Sequence, residues 1–174
     1  MENLFRYEQL KQETITDEQF KQVLEVEFSG NEPYPAEVIK EIYVEDKKEI
    51  NFVCIDNRTN KIVAHIATNP QSKRRNGSVF VVNLIVSPNY RRLGIAQNLI
   101  NTACKHYIAQ GETKVMSISV DKVNTPALKL YQKVGFEIKE PICPADEDDE
   151  QYILAAEMPT LTNRIEQLKK GKEK

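Results

Sequence analysis

The stretch that decides the fold runs from Ser78 to Gln97: residues 78–87 read SVFVVNLIVS, and residues 88–97 read PNYRRLGIAQ. The first half is dense in β-branched residues, which predicts a buried strand that Pro88 ends. Apolar residues then recur at intervals of three and one, as in a core-facing helix: Ala96, Leu99, Ile100, Ala103, Cys104, Tyr107 and Ile108. Gly111 stands where a C-terminal cap belongs. We therefore predict a strand, a basic turn and a long helix in direct succession.

Outward from this segment, apolar periodicity and turn residues predict the other elements. The predicted helices are Asp17–Phe28 with a cap at Thr16-Asp17, a short helix from Pro35, and a helix from Pro126 to Gly135. The predicted strands are residues 50–55, 61–67, 114–120, 136–139 and 151–158. About four helices interleaved with about seven strands predict an α/β (α+β) fold around a mixed central sheet.

The length of the chain and the composition of its end predict a simple domain organisation. The 174 residues favour one domain, placed at residues 1–160, followed by a basic tail at residues 161–174. The last stretch, Asn163–Lys174, carries five basic and two acidic residues without a long apolar run. We therefore expect a frayed helix or a mobile tail there.

Charge and hydropathy exclude several classes of partner. The chain has 24 Lys and Arg against 26 Asp and Glu, a formal net charge of −2, so it lacks the basic footprint of a duplex-binding protein. The longest apolar run, Val79–Val86, is interrupted by Asn83 and is too short to span a membrane. The first residues do not have the pattern of a secretory signal. We therefore expect a cytoplasmic protein with neither a membrane nor a nucleic-acid partner.

The cysteines and histidines do not form a metal or disulfide pattern. Cys54, Cys104 and Cys143 are far apart in sequence and odd in number, so they are expected to be reduced thiols, mostly in the core. His65 and His106 do not stand at a zinc-site spacing from each other or from a cysteine. We therefore expect no metal site.

The basic turn before the long helix has the chemistry of a phosphate site. The first backbone N–H groups of a helix have no helical acceptor, and the helix dipole favours an anion beside them. Gly94 lacks a side chain where a diphosphate would approach the backbone, and Arg91 and Arg92 are charge-assisted donors. The other interpretation is an ordinary basic turn in which glycine only redirects the chain.

Two short motifs resemble the signatures of the Gcn5-related N-acetyltransferase (GNAT) superfamily. Its acyl-CoA signature has Gln or Arg, two residues, Gly, one residue, then Gly or Ala, and Arg91, Gly94 and Ala96 match it. The segment NTPALKLYQKVGF at residues 124–136 resembles the second signature, matching at Asn124, Ala127, Leu130, Tyr131, Gly135 and Phe136. The resemblance is good over roughly residues 78 to 138, and it implies a single GNAT-like domain.

The resemblance implies acetyl-CoA as the acyl donor and a set of residues that bind it. The backbone of Leu84, Ile85 and Val86, where the strand splays from its neighbour, would pair with the pantetheine arm, which Asn124 would also contact. Asn124 has a second interpretation as a helix cap. Backbone amides from Arg92 to Gln97 would bind the pyrophosphate, so the implied cofactor-binding loop is Arg91, Arg92, Leu93, Gly94, Ile95, Ala96 and Gln97.

Tyr131 is the residue that the resemblance assigns to catalysis, as the acid that protonates the departing CoA thiolate. A phenol with a pKa near 10 is protonated at neutral pH and can donate. The alternative is a core tyrosine, because position 131 lies on the apolar face of its helix. The predicted strand before the phosphate turn contains no acid, so the general base stays open between Glu27, Glu32 and an ordered water relay.

The acceptor is the least determined part of the sequence. The resemblance implies a primary amine of a small molecule or a protein. The acidic run Asp146–Glu150 would attract a cationic amine, or it is a solvated loop. A non-catalytic acyl-CoA sensor or scaffold is the alternative function, and a dinucleotide-binding domain is disfavoured by the lack of G-x-G-x-x-G. The basic patches Lys73-Arg74-Arg75 and the C-terminal lysines have two interpretations, as contacts of an RNA or ribosomal substrate or as ordinary surface residues, since the patches are short and surface lysines are common. The resemblance makes a homodimer a further expectation.

Overall fold

Seven strands form one mixed sheet in the order β1-β2-β3-β4-β5-β7-β6. The computed structural model describes residues 3–11, 16–28, 49–70, 78–111, 115–139 and 150–172. The strands are β1 Phe5–Leu10, β2 Ile50–Asp56, β3 Lys61–Asn69, β4 Ser78–Val86, β5 Val115–Asp121, β6 Glu137–Lys139 and β7 Gln151–Glu157. The helices are α1 Asp17–Phe28, α2 Ile95–Gln110, α3 Thr125–Val134 and α4 Met158–Lys172, and a 3-10 turn spans Pro88–Tyr90. The predicted α/β fold with about seven strands is confirmed.

The backbone contacts divide the chain into two compact units. The first comprises Met1–Thr68 and Val82–Leu99, and the second comprises Asn69–Val81 and Ile100–Lys174. The division of the chain into a domain at residues 1–160 and a tail stays a prediction. The predicted helix from Pro35 lies outside the described residues.

In the first unit, α1 packs on an antiparallel ladder of β1, β2 and β3. Thr16 and Gln19 form a reciprocal cap at the start of α1, where each backbone N–H donates to the other side chain at 3.1 Å. Buried valines of the helix meet buried residues of the β2–β3 hairpin, and this core consists of Val23, Val26, Val53, Ile55 and Ile62. The predicted cap and hairpin are confirmed.

In the second unit, β5 is paired on both sides. The β4–β5 register is parallel from Ser78↔Val115 to Val81↔Ile118, and β7 pairs antiparallel with β5 and with β6. The Ser78 and Ser117 hydroxyls share a buried hydrogen bond of 2.8 Å across β4 and β5. The two buried hydroxyls therefore satisfy each other's hydrogen bonding between β4 and β5.

The buried face of α2 agrees with the predicted stripe except at its end. Leu99, Ile100, Ala103, Cys104 and Tyr107 are buried, and Gly111 ends the helix with a left-handed φ of 69°. Ile108 is 41% exposed, because the stripe turns toward solvent in the last turn. Cys54 and Cys104 are free and buried, as expected, whereas Cys143 lies outside the described residues.

The described part of the C-terminal segment is helical, which is one of the two expected forms. Helix α4 runs from Met158 to Lys172, and its Met158, Leu161 and Ile165 side chains are completely buried. The helix begins before Asn163 because these apolar residues form a helical stripe that starts at Met158. Within the described part of the chain, no helix combines the length and apolarity that a membrane crossing requires.

Candidate functional site

The turn between β4 and α2 has the backbone shape that the phosphate interpretation requires. Arg92 and Gly94 both have left-handed conformations, with φ values of 63° and 78°. The first bond of α2 runs from the Asn98 N–H to the Gly94 carbonyl at 3.1 Å, so the amides of residues 95–97 precede the helical bonds. These amides lie at the positive end of a 16-residue helix. The turn is therefore arranged to bind an anion through its backbone.

The side chains around this turn leave the backbone as its binding group. Ile95 and Gln97 are 2% and 4% exposed, so the structure limits their predicted role to their amides. A Cβ built on Gly94 would lie 3.3 Å from Nε2 of Gln97, a tight contact at a φ that L side chains rarely adopt. A side chain at position 94 would therefore be strained by the φ value and would press on the end of the Gln97 side chain.

Arg91 connects this turn to the end of β4. Its exposed guanidinium donates through Nε to the Val86 carbonyl at 3.3 Å. The β4–β5 register ends at Val81, whereas β4 continues to Val86, and Val82 is 47% exposed. Residues 84–86 are therefore beyond the β4–β5 register, and Arg91 lies against the last of them. The splay at these residues stays a prediction.

Asn124 and Tyr131 lie on the same helix of the second unit. Oδ1 of Asn124 accepts a 3.3 Å hydrogen bond from the Ala127 N–H, so the helix-cap interpretation of Asn124 is confirmed. The side chain is exposed, and the cap engages only its oxygen, so the amide Nδ2 is compatible with a second role. The two interpretations of Asn124 therefore do not exclude each other.

Tyr131 is a buried phenol held by the end of its own helix. The residue is 7% exposed, and desolvation raises the pKa of Tyr131 to about 12. Its ring meets Phe136 edge to face, with centroids 5.9 Å apart. The side chain is therefore protonated at neutral pH, which a proton donor requires.

Comparison with known proteins identifies the family. The model of the acetyltransferase (GNAT) family matches residues 14–136, a range that contains the β4–α2 turn, Asn124 and Tyr131. The chain belongs to the GNAT family. Helix α4 lies beyond the matched range, so the family pattern does not account for it.

One sequence relative and two solved structures are similar to this GNAT chain. It is 36% identical over 86 residues to GCN5-related N-acetyltransferase 6, chloroplastic, of Arabidopsis thaliana, and the match covers 49% of this chain but only 29% of the relative. The crystal structure of Arabidopsis thaliana NAA60 in complex with acetyl-CoA is 15% identical, with a TM-score of 0.66 over 89% of this chain and 99% of that one. A mutant of the spermidine N-acetyltransferase SpeG from Vibrio cholerae is 18% identical, with a TM-score of 0.67 over 92% and 98%. At these identities the two structures support the fold alone.

Two side-chain contacts in the first unit of this GNAT chain were missed by the sequence interpretation. The Tyr90 hydroxyl donates to Oδ2 of Asp56 at 3.0 Å, and Nδ2 of Asn98 donates to the Tyr7 hydroxyl at 3.1 Å. The partners are 34 and 91 residues apart in sequence. The local sequence contains no signal for them, since each joins the β4–α2 segment to a strand that is distant in sequence.

Several predicted site residues of the GNAT chain lie outside the described part. These are Glu32, the side chain of Glu27, residues 146–149 of the acidic run and the basic cluster at residues 73–75. Among the residues that the structure describes, no group of three or more His, Cys, Asp and Glu side chains is placed to bind a metal ion.

Proposed function

We propose that this chain is an acetyl-CoA-dependent N-acetyltransferase that transfers an acetyl group to a primary amine. The observation that carries the proposal is the β4–α2 turn, where two left-handed positions, Arg92 and Gly94 on either side of Leu93, precede the first amides of α2. Membership of the GNAT family supports the same chemistry.

Acetyl-CoA fits the residues of the turn. The amides from Arg92 to Gln97 would bind its pyrophosphate, and the glycine at position 94 allows the left-handed φ of this turn. Arg91 adds a cationic side chain beside these amides. The backbone of Leu84, Ile85 and Val86 would pair with the pantetheine arm, together with Nδ2 of Asn124. In this proposal, the backbone amides of the turn bind the phosphates of acetyl-CoA, and the backbone at the end of β4 binds its pantetheine arm.

Tyr131 is the proposed general acid. Acetyl-CoA supplies an activated thioester, and the reaction requires a proton for the departing thiolate sulfur. The Tyr131 hydroxyl retains its proton at neutral pH because burial raises its pKa to about 12. A donor of this kind typically accelerates the step by about 10²–10⁴-fold. Tyr131 therefore holds the proton that the sulfur accepts as the acetyl group moves to the amine nitrogen.

The attacking amine must lose a proton, and β4 does not supply the base. The strand sequence SVFVVNLIV contains no carboxylate. An ordered water relay, Glu27 or Glu32 would then accept the proton. A relay needs no new ionisable group, which agrees with the composition of this strand.

The proposed acceptor is a primary amine of a small molecule or a protein. The acidic run at residues 146–150 favours a cationic acceptor, since clustered carboxylates raise the local concentration of positively charged molecules. We propose a cytoplasmic location and a homodimer as further parts of the same function.

The test is thiol release from acetyl-CoA by the purified chain with a panel of amines. The panel contains polyamines, aminoglycosides, neutral amino acids and peptides with free N-termini or lysines. We expect turnover with at least one class, and higher kcat/KM for the cationic amines than for neutral ones. Tight acetyl-CoA binding without turnover would instead favour a non-catalytic acyl-CoA sensor, and a failure to bind acetyl-CoA would overturn both functions.

A further inference from the structure

Both ends of the β4–α2 turn are attached to the β1–β2 ladder by side chains. Before the turn, the Tyr90 hydroxyl donates to Asp56 at the end of β2. After it, Nδ2 of Asn98 donates to the Tyr7 hydroxyl on β1. All four residues belong to the first unit. The seven residues from Arg91 to Gln97 therefore lie between two side-chain hydrogen bonds to the β1–β2 ladder.

The first attachment point is a buried and fully engaged carboxylate. Asp56 is 1% exposed and accepts from the Arg58 backbone N–H at 2.9 Å and from its guanidinium at 2.9 and 3.0 Å. These bonds lower the pKa of Asp56 to about 2, so the acceptor for Tyr90 is an ion at every working pH. The Tyr90 ring also meets Phe5 edge to face at 6.2 Å.

The second attachment point lies on the same ladder, two residues along each strand. Phe5 pairs with Asp56 and Tyr7 pairs with Cys54 across β1 and β2. Alternate residues of a strand point to the same face, so the two attachment points are neighbours on one face of this ladder. The spacing between the two ends of the turn is therefore set by the rigid strand pair.

From this geometry we propose that Tyr7 and Asp56 are positioning residues that preorganise the turn for the pyrophosphate of acetyl-CoA. The inference rests on the proposed function. Arg92 has a left-handed backbone conformation that a non-glycine residue visits rarely, so an unattached turn would lose entropy each time it bound the diphosphate. Holding Tyr90 and Asn98 removes part of that cost before the ligand arrives.

The test compares acetyl-CoA with S-acetylpantetheine, which has the same thioester and arm but no pyrophosphate. Tyr90→Phe retains the aromatic ring and removes the hydrogen bond to Asp56. Tyr7→Phe retains its ring and removes the hydroxyl that Asn98 and Cys54 contact, and Tyr152→Phe on β7 is the matched control. We expect each of the two variants to raise KM for acetyl-CoA about three- to tenfold. Their kcat, and their kcat/KM for S-acetylpantetheine, should match those of the unmodified chain and the control.

Two results would overturn the inference. The first is an unchanged KM for acetyl-CoA in both variants, and the second is an equal loss with both donors, which would indicate a general structural defect. A wild-type chain that uses neither donor and does not bind CoA would instead overturn the proposed function and this inference together. If the wild type is active but either of the two contrary results is obtained, the positioning roles of Tyr7 and Asp56 are excluded and the proposed function stands.

Discussion

The Phe136 N–H donates a 3.0 Å hydrogen bond to the Tyr131 carbonyl, and the two rings meet edge to face. Gly135 between them has a φ of 117° and caps α3 by donating to the Gln132 carbonyl at 3.2 Å. The glycine allows the chain to reverse so that residue 136 returns to residue 131. The end of the second signature therefore fixes the position of the proposed acid.

Removal of the Tyr131 hydroxyl tests its chemical role. We expect Tyr131→Phe to lower kcat by up to about 10²–10⁴-fold, the contribution of a general acid. The dissociation constant of CoA should be nearly unchanged, because the ring and its contact with Phe136 are retained. Steady-state kinetics and calorimetric titration measure the two quantities, with Tyr107→Phe, another buried tyrosine, as the control. Full turnover in Tyr131→Phe would exclude the residue from the mechanism.

The pKa of Tyr131 makes a prediction for the pH profile of the reaction. Burial raises this pKa from 10.0 to about 12, so the hydroxyl is still protonated at pH 10. Ionisation of Tyr131 should therefore not lower kcat between pH 8 and pH 10. We expect the wild type and Tyr131→Phe to show the same relative change of kcat over this range. A decline in this range that is present in the wild type and absent from the variant would show that Tyr131 ionises earlier than the structure indicates.

The proposed binding role of Gly94 can be distinguished from the purely conformational role of Gly111. Gly94→Ala places a Cβ 3.3 Å from Gln97, whereas a Cβ on Gly111, which has a similar φ, would meet no atom within 4 Å. Both substitutions should lower the free energy of unfolding by about 1–2 kcal/mol because both glycines have positive φ. Only Gly94→Ala should also raise KM for acetyl-CoA, by about tenfold for ~1.4 kcal/mol of lost binding. Equal KM values in the two variants would contradict the proposed phosphate site.

The helix-capping role of Asn124 and its proposed contact with acetyl-CoA can be tested with different substitutions. Asn124→Ser retains a cap acceptor for the Ala127 N–H but removes the amide donor, whereas Asn124→Ala removes both. Thermal denaturation should show a cost of about 1 kcal/mol for the alanine variant and less for the serine variant. Both should raise KM for acetyl-CoA. If the serine variant kept the wild-type KM, Asn124 would be a helix cap alone.

His65 makes stability depend on pH. It is fully buried, its Nε2 lies 2.8 Å from Oδ1 of Asn51, and desolvation lowers the pKa of His65 to about 4 from 6.5. A lowered pKa stabilises the fold above the unfolded value of 6.5, and that stability is lost as the pH falls toward 4. The loss is roughly 3 kcal/mol at ~1.36 kcal/mol per pKa unit.

Urea unfolding at pH 7 and pH 4.5 measures this loss. His65→Gln retains an amide nitrogen near Asn51 but does not titrate in this range. We expect the wild type to lose more stability than His65→Gln between the two pH values. The same loss in both proteins would mean that other groups cause the pH dependence.

The sequence predicts the parts of the fold that depend on neighbouring residues. The Thr16 cap, the hairpin at Asp56–Asn60, the α2 stripe and the Gly111 end are local patterns, and the structure contains them. Strand β1 is harder to recognise because its sequence, FRYEQL, is mixed and its residues are only partly buried or exposed. The contacts of Tyr7 with Asn98 and of Asp56 with Tyr90 join residues that are distant in sequence, so local patterns do not predict them.

The beginning of helix α4 was missed for a different reason, since Met158 was assigned to the preceding strand. Met158, Leu161, Ile165 and Leu168 are spaced as in a helix, but the apolar stripe begins before the basic stretch that dominates the composition. The acceptor is undetermined for a further reason, because the acidic run lies outside the described residues apart from Glu150. Amino-acid composition and the spacing of apolar residues therefore predict this helix only when the whole segment Met158–Lys172 is considered.

The conformation of α4 is tested by core truncation. Ile165 is fully buried, and Ile165→Ala should cost about 2–5 kcal/mol in the free energy of unfolding. Gln167→Ala, at an exposed position of the same helix, should change it by less than about 0.5 kcal/mol. Equal costs in denaturant titrations would indicate that the segment does not pack on the protein.

The central claim is that acetyl-CoA is used to acetylate an amine. The most direct measurement quantifies free CoA and acetylated amine in the same reaction, by thiol titration and mass spectrometry. We predict one acetyl amide for each thiol released, with the rate lowered in Tyr131→Phe. Thiol release without amide formation, or no reaction with any amine of the panel, would contradict the claim.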